Sequence, residues 1–310
     1  MRKIILVLVF VMFFVSGCAV MDSMSGLFKN LPGIKQPLTP QGGGKSYVGG
    51  TSSVKLNMLQ PAENSKISKD VPLRISINVK NEGESQADGQ LCVTGLNPAV
   101  FEESKSCECQ EFSLKGKGRY EDEIVEGEDV TLNFDEGSAK IDEFTINDFS
   151  VTSIARFDYK TYASVEGCVT KDIASSKDCK ARQDAKIIGV SSAPLQITSV
   201  VQELLAVSDE EYTMTLIIEV SHKGDGDFFD TSLDKDSCVE DSNINKKVGV
   251  KLINAPGSAT CTPLLIKKKD DKGTTTCVIT GVQARNYKPM MNVELSYAYE
   301  VRESNRFQVV

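Results

Sequence analysis

Tryptophan is absent from this sequence, and histidine occurs once, at His222. No histidine cluster can therefore hold a metal, and any nucleophile-base pair would have to be built on this one imidazole. His222 precedes Lys223-Gly224 and reads as an exposed turn residue. Without indole rings on which a sugar could stack, carboxylate groups such as Asp142-Glu143 and Glu121-Asp122-Glu123 read as solvated surface rather than as the acid and base of a glycosidase. No stretch of convincing length carries helical periodicity, and no Asn-x-Ser/Thr sequon occurs, which disfavours a heavily N-glycosylated surface. A basic stripe is missing too. The formal charge is −8, and becomes −10 once Arg2 and Lys3 are removed with the leader described below. Such an acidic surface repels phosphate backbones, so nucleic acid is excluded as a partner. Gly44-Lys45-Ser46 lacks the glycine that a phosphate loop needs five residues earlier, where Thr39 stands.

What the sequence does have begins at its amino terminus. Arg2 and Lys3 precede an apolar run over residues 4–15 that ends in Ser16, Gly17 and Cys18. The order is that of an export signal. The run is roughly 12 residues, and a helix needs about 20 to cross the hydrocarbon core, so a permanent span is the weaker reading. Val15-Ser16-Gly17-Cys18 resembles the lipobox of prokaryotic lipoproteins. That resemblance implies cleavage before Cys18 and acylation of its thiol, giving a palmitate-type anchor in the cell membrane with the body outside the cytoplasm. Two or three acyl chains hold a protein firmly where one does not.

Nine cysteines are present. With Cys18 lipidated, the remaining eight make an even set on an exported chain, which suggests disulfides. Cys168 with Cys179 and Cys261 with Cys277 are the close pairs, the second flanking the lysine-rich stretch Lys267-Lys268-Lys269, which reads as a hairpin tip. Cys92 is expected to pair with Cys107 or Cys109, leaving the other of that couple and Cys238 either bridged between the two halves or free. The C-x-C at 107–109 has no second close pair and is not a zinc pattern. No cofactor is expected apart from calcium, for which the acidic loop of Asp225, Asp227 and Asp230 offers oxygen ligands in an order that fails the EF-hand.

Residues 18–53 are rich in glycine, proline and serine and lack periodicity, which predicts a flexible tether. From residue 54 onward the period is two. Leu73, Ile75, Ile77 and Val79 alternate with polar residues and lead into Asn81-Glu82-Gly83; Met214, Leu216, Ile218 and Val220 do the same before His222-Lys223-Gly224, 141 residues later. Phe157, Tyr159, Thr161, Ala163 and Val165 form a longer amphipathic strand, matched near an offset of 138 by Val293, Leu295, Tyr297, Tyr299 and Val301. The tyrosines 159, 297 and 299 read as core packing with hydroxyls at the sheet edge. Further strands are expected over residues 90–94, 130–134, 248–253 and 276–280. The pattern is an internal duplication of an all-β unit. It predicts two tandem immunoglobulin-like antiparallel sandwiches, residues 54–195 and 196–310, after a leader of residues 1–17 and the tether.

The stretch Val79-Lys80-Asn81-Glu82-Gly83, with Ile124-Val125-Glu126-Gly127-Glu128-Asp129-Val130-Thr131-Leu132, resembles the CARDB-like group of immunoglobulin-fold modules of archaeal and bacterial surface proteins. The resemblance implies binding, adhesion or spacing rather than chemistry. The expected function is therefore that of a non-enzymatic module, anchored in the membrane by lipid, that meets a protein or a surface polymer. An accessory subunit of an envelope assembly and a carboxylate-based hydrolase are the alternatives.

Overall fold

Strands appear wherever apolar and polar residues alternate. The computed structural model describes residues 46–101, 105–120, 123–140, 147–238, 246–266 and 271–310. The leader, Cys18, most of the tether, and residues 121–122, 142–143 and 267–270 lie outside the described residues. In chain order the strands are β1 (Val54–Gln60), β2 (Ser65–Ile67), β3 (Arg74–Asn81), β4 (Ala87–Thr94), β5 (Cys107–Leu114), β6 (Gly118–Tyr120), β7 (Glu123–Val125), β8 (Asp129–Asp135), β9 (Asn147–Glu166) and β10 (Arg182–Asp184). They continue as β11 (Lys186–Val190), β12 (Leu195–Ala206), β13 (Glu211–His222), β14 (Asp227–Phe229), β15 (Lys247–Ile253), β16 (Ser258–Cys261), β17 (Leu264–Leu265), β18 (Lys272–Gln283) and β19 (Met290–Val309). There is no helix among the described residues, so the fold is all-β. Each strand expected from periodicity is present; the others, of which β12 is the longest, were not foreseen.

The two long strands are partners. β9 and β19 pair antiparallel over their full twenty residues, from Glu166 opposite Met290 to Asn147 opposite Val309. They form the middle of a nine-stranded sheet with the order β17-β15-β19-β9-β4-β5, to which β11 adds on β9, and β14 and β2 on β19. Because side chains alternate across a strand, odd-numbered residues of both strands share one face. Phe157, Tyr159, Tyr297 and Tyr299 meet there, with neighbouring ring centroids 5.6–6.3 Å apart and mostly edge-to-face. All four are buried, and such pairs add about 1 kcal/mol each beyond area burial.

Two smaller sheets supply the rest of the same core. One has the order β1-β3-β8 and the other β10-β12-β13-β18-β16. β3 and β13 sit centrally, and Ile75, Ile77 and Val79 in the first, like Met214, Leu216, Ile218 and Val220 in the second, are fully buried. Each such side chain contributes about 1.5–3 kcal/mol relative to exposure.

The expected tandem arrangement needs correction. Residues 42–310 form one compact unit, and the nine-stranded sheet draws strands from both halves. The boundary expected between residues 195 and 196 falls at the start of β12. Periodicity shows which face of a strand is apolar but not which strand lies beside it. Two equal amphipathic strands satisfy each other's backbone groups as well as any partner within their own halves would.

Candidate functional site

The cysteines close four disulfides: Cys92–Cys109, Cys107–Cys238, Cys168–Cys179 and Cys261–Cys277. Between the two partners left open for Cys92, register selects Cys109, which stands directly opposite it on β4 and β5. Cys107 then reaches Cys238 and bridges the halves, 131 residues apart in sequence. The sulfurs of Cys92, Cys107, Cys109 and Cys238 lie within 4.8 Å of one another. Paired as disulfides, they offer no thiolate to a metal. Among the described residues this is the one grouping of three or more such ligands, so Asp225, Asp227 and Asp230 are not brought together. Asp227 instead receives Lys246 Nζ, and Asp230 Oδ1 accepts the Ser232 N–H at 3.0 Å.

The duplication is clearest in the two turns that follow β3 and β13. In the first, buried Asn81 donates to the carbonyls of Ser85 (2.7 Å) and Leu114 (3.1 Å), and accepts the Gly83 N–H (3.1 Å) and the Tyr159 hydroxyl (3.4 Å). In the second, His222 Nε2 meets the Tyr299 hydroxyl at 3.1 Å, and that hydroxyl accepts the Gly226 N–H at 2.8 Å. A Cβ at Gly83 would collide with the Tyr159 hydroxyl, and one at Gly224 with that of Tyr299. Only glycine lets the tyrosines close on these turns. Tyr159 is thus equivalent to Tyr299, and the offset in the long strands is 140 rather than 138. The hydroxyls of the three tyrosines find partners inside the core, Tyr297 on Thr161 Oγ1 at 2.9 Å, rather than at a sheet edge.

His222 is not an exposed turn residue, as expected from sequence. Its half-buried ring packs edge-on to Phe228 and Tyr299, because it is the last residue of β13 and the acidic loop folds back over it. Burial, helped by Lys246, pushes the imidazole below its usual pKa against the opposing pull of Asp271, Asp227 and Asp225. Burial also raises the Tyr299 hydroxyl well above the usual range. At neutral pH the pair is therefore an uncharged hydrogen bond, suited to holding a turn rather than to transferring a proton.

Glu84 was not singled out by sequence. Its carboxylate accepts the backbone N–H groups of Val48 (2.8 Å), Gly49 (3.0 Å) and Ser192. Gln196 Nε2 donates to the carbonyls of Gly50 (3.0 Å), Ser191 (3.1 Å) and Ala193 (2.7 Å). The tether therefore ends before Val48, earlier than the expected residue 53, because two side chains satisfy backbone groups that no periodic pattern marks. The signal that could have found them is the same duplication. Glu84 is Asp225 in the other half, 141 residues on, and Gln196 is Lys55, 141 residues back.

A surface cavity of about 240 Å³ lies beside Asp225, walled by residues 51–55, Glu82, Lys223, Gly224 and Val301. A second, of about 540 Å³, is lined by Asn64, Asp148, Phe149, Ser150, Arg306, Phe307 and Gln308. Asp148 is the one carboxylate among the lining residues of the second cavity, whereas Glu82 and Asp225 both line the first. The sequence matches no protein-family model and no curated protein.

Proposed function

We propose that this chain is an exported lipoprotein, held in the membrane through acylated Cys18, whose all-β body acts as a non-enzymatic binding or structural module at the cell surface. One observation carries the reading. Eight of the nine cysteines pair with one another, and the ninth is the cysteine of the lipobox-like Val15-Ser16-Gly17-Cys18. Four disulfides suit an oxidising compartment outside the cytoplasm, and a thiol destined for a lipid is the one a structural framework would leave out. The layered sheets, and the resemblance of residues 79–83 and 124–132 to CARDB-like modules, support a role in presenting loops and edges to a partner. Mass spectrometry of the mature amino terminus is expected to find an acylated Cys18, and Cys18→Ser is expected to release the protein into the soluble fraction. An unmodified terminus elsewhere, with membrane attachment retained, rejects the anchor.

A further inference from the structure

The niche at Glu84 and the cavity at Asp225 are the same place in the two halves, yet only the first is filled by the chain itself. Several contacts repeat at the 141-residue spacing. Glu82 N donates to Ser53 O at 2.9 Å, and Lys223 N to Pro194 O at 2.8 Å. In the filled niche, Glu84 holds the N–H groups of Val48 and Gly49 while Gln196 holds the carbonyl of Gly50. Their counterparts Asp225 and Lys55 both line the cavity, and neither side chain has a hydrogen-bond or ion-pair partner among the described residues.

The difference between the halves has a cause in the fold. The segment that symmetry would place beside Asp225 is residues 189–191. It is engaged elsewhere, Gly189 and Val190 in β11 against β9 and the Ser191 N–H on Tyr162 O at 2.8 Å. Aspartate is also one methylene shorter than glutamate, and Asp225 does not bond the Thr51 N–H as Glu84 bonds that of Ser192.

We infer that the Asp225 cavity is a peptide-binding niche that receives a glycine-containing segment of a partner protein. Asp225 accepts two successive backbone N–H groups of the segment, and Lys55 Nζ donates to the carbonyl that follows. The occupant of the sister niche defines the chemistry. It runs Val48-Gly49-Gly50, with φ of +77° and +117° at the two glycines, a backbone that other residues rarely adopt. The assignment rests on reading the chain as a binding module and names the ligand class for it.

The probe is the acetylated and amidated hexapeptide Ser-Tyr-Val-Gly-Gly-Thr, copied from residues 46–51, titrated into the full mature protein and followed by amide NMR shifts. Saturable shifts are expected at residues 51–55 and 223–225, weakened about tenfold or more by Asp225→Ala or Lys55→Ala and preserved by Asp225→Glu. Replacing both peptide glycines by alanine is expected to abolish them. Absence of saturable shifts at these amides, or an affinity unchanged in Asp225→Ala, overturns the niche. Both variants alter exposed side chains, and their undisturbed spectra elsewhere check that they fold. Capture of partners from detergent-solubilised membranes runs in parallel. Titration failing while capture succeeds overturns the niche and leaves the module; failure of both overturns the niche and the binding reading together.

Discussion

Glu136 shows how a single residue can escape a reading of the sequence. It stands in Asp135-Glu136-Gly137, an ordinary acidic turn on paper, yet it is only 2% exposed and its Oε2 has no hydrogen-bond partner among the described residues. The turn is stitched inward by Glu136 N to Leu73 O (2.9 Å) and Leu73 N to Gly137 O (2.8 Å), with Gly137 at φ +67°. Burial, then the charges of Glu108 and Asp135 against that of Lys105, raises its pKa from 4.5 to about 7. A carboxyl raised on folding binds more protons folded than unfolded within that window, so its contribution to stability falls as pH rises from 4.5 to about 7 and is level above. Glu136→Gln is expected to stabilise the protein by about 2 kcal/mol at pH 8 and to change little at pH 4, as measured by urea denaturation. An equal gain at both pH values would place the cause outside ionisation. The signal for this residue was missing because burial of a turn depends on what it docks against, here Leu73, more than sixty positions earlier. Asn81 and His222 are intermediate cases. Their place before x-Gly was legible, and the tyrosine hydroxyls that close on them were not.

Among the elements, β9 and β19 were legible as long amphipathic strands, but what covers their polar faces was not. Arg156 and Glu300 lie opposite each other in the register and form an ion pair at 2.7 Å with side chains 2% and 5% exposed. The chain leading to Cys238 covers this face, with Arg156 Nη1 donating to Asp234 O at 3.1 Å and Lys235 pairing with Asp158 at 3.0 Å. Glu300 also receives Arg302 Nε at 2.6 Å. A buried pair is costly to break from one side, because the remaining charge stays desolvated, and cheap to replace whole by apolar groups. Arg156→Met alone is expected to destabilise by about 3 kcal/mol, and adding Glu300→Leu to recover most of that loss. Chemical denaturation of both variants checks this, and a double variant less stable than the single one would show that Glu300 stabilises the seam through Arg302 rather than through Arg156. Alternation in sequence cannot show such a cover, since the covering segment has no periodicity of its own.

For the molecule as a whole, the duplication was readable but its consequence was not. Two copies of an all-β unit can stand side by side or merge, and the choice rests on whether the long strands find each other. Here they do, along twenty residues, so the halves are expected to unfold together. The Cys107–Cys238 bridge adds a covalent link across the same seam. On the chain-entropy model, a loop of this length stabilises by about 5 kcal/mol, against about 3 for the short Cys168–Cys179 loop. The double variant Cys107→Ser, Cys238→Ser is therefore expected to lose more stability than Cys168→Ser, Cys179→Ser. It is also expected to keep a single cooperative transition, with far-ultraviolet dichroism and tyrosine fluorescence coincident in denaturant. Two separated transitions without the bridge would mean that the disulfide, rather than the shared sheet, unites the halves, and the tandem reading would return. A single transition would assign the unity to β9 and β19, with the bridge serving as reinforcement where Cys238 crosses the outer face.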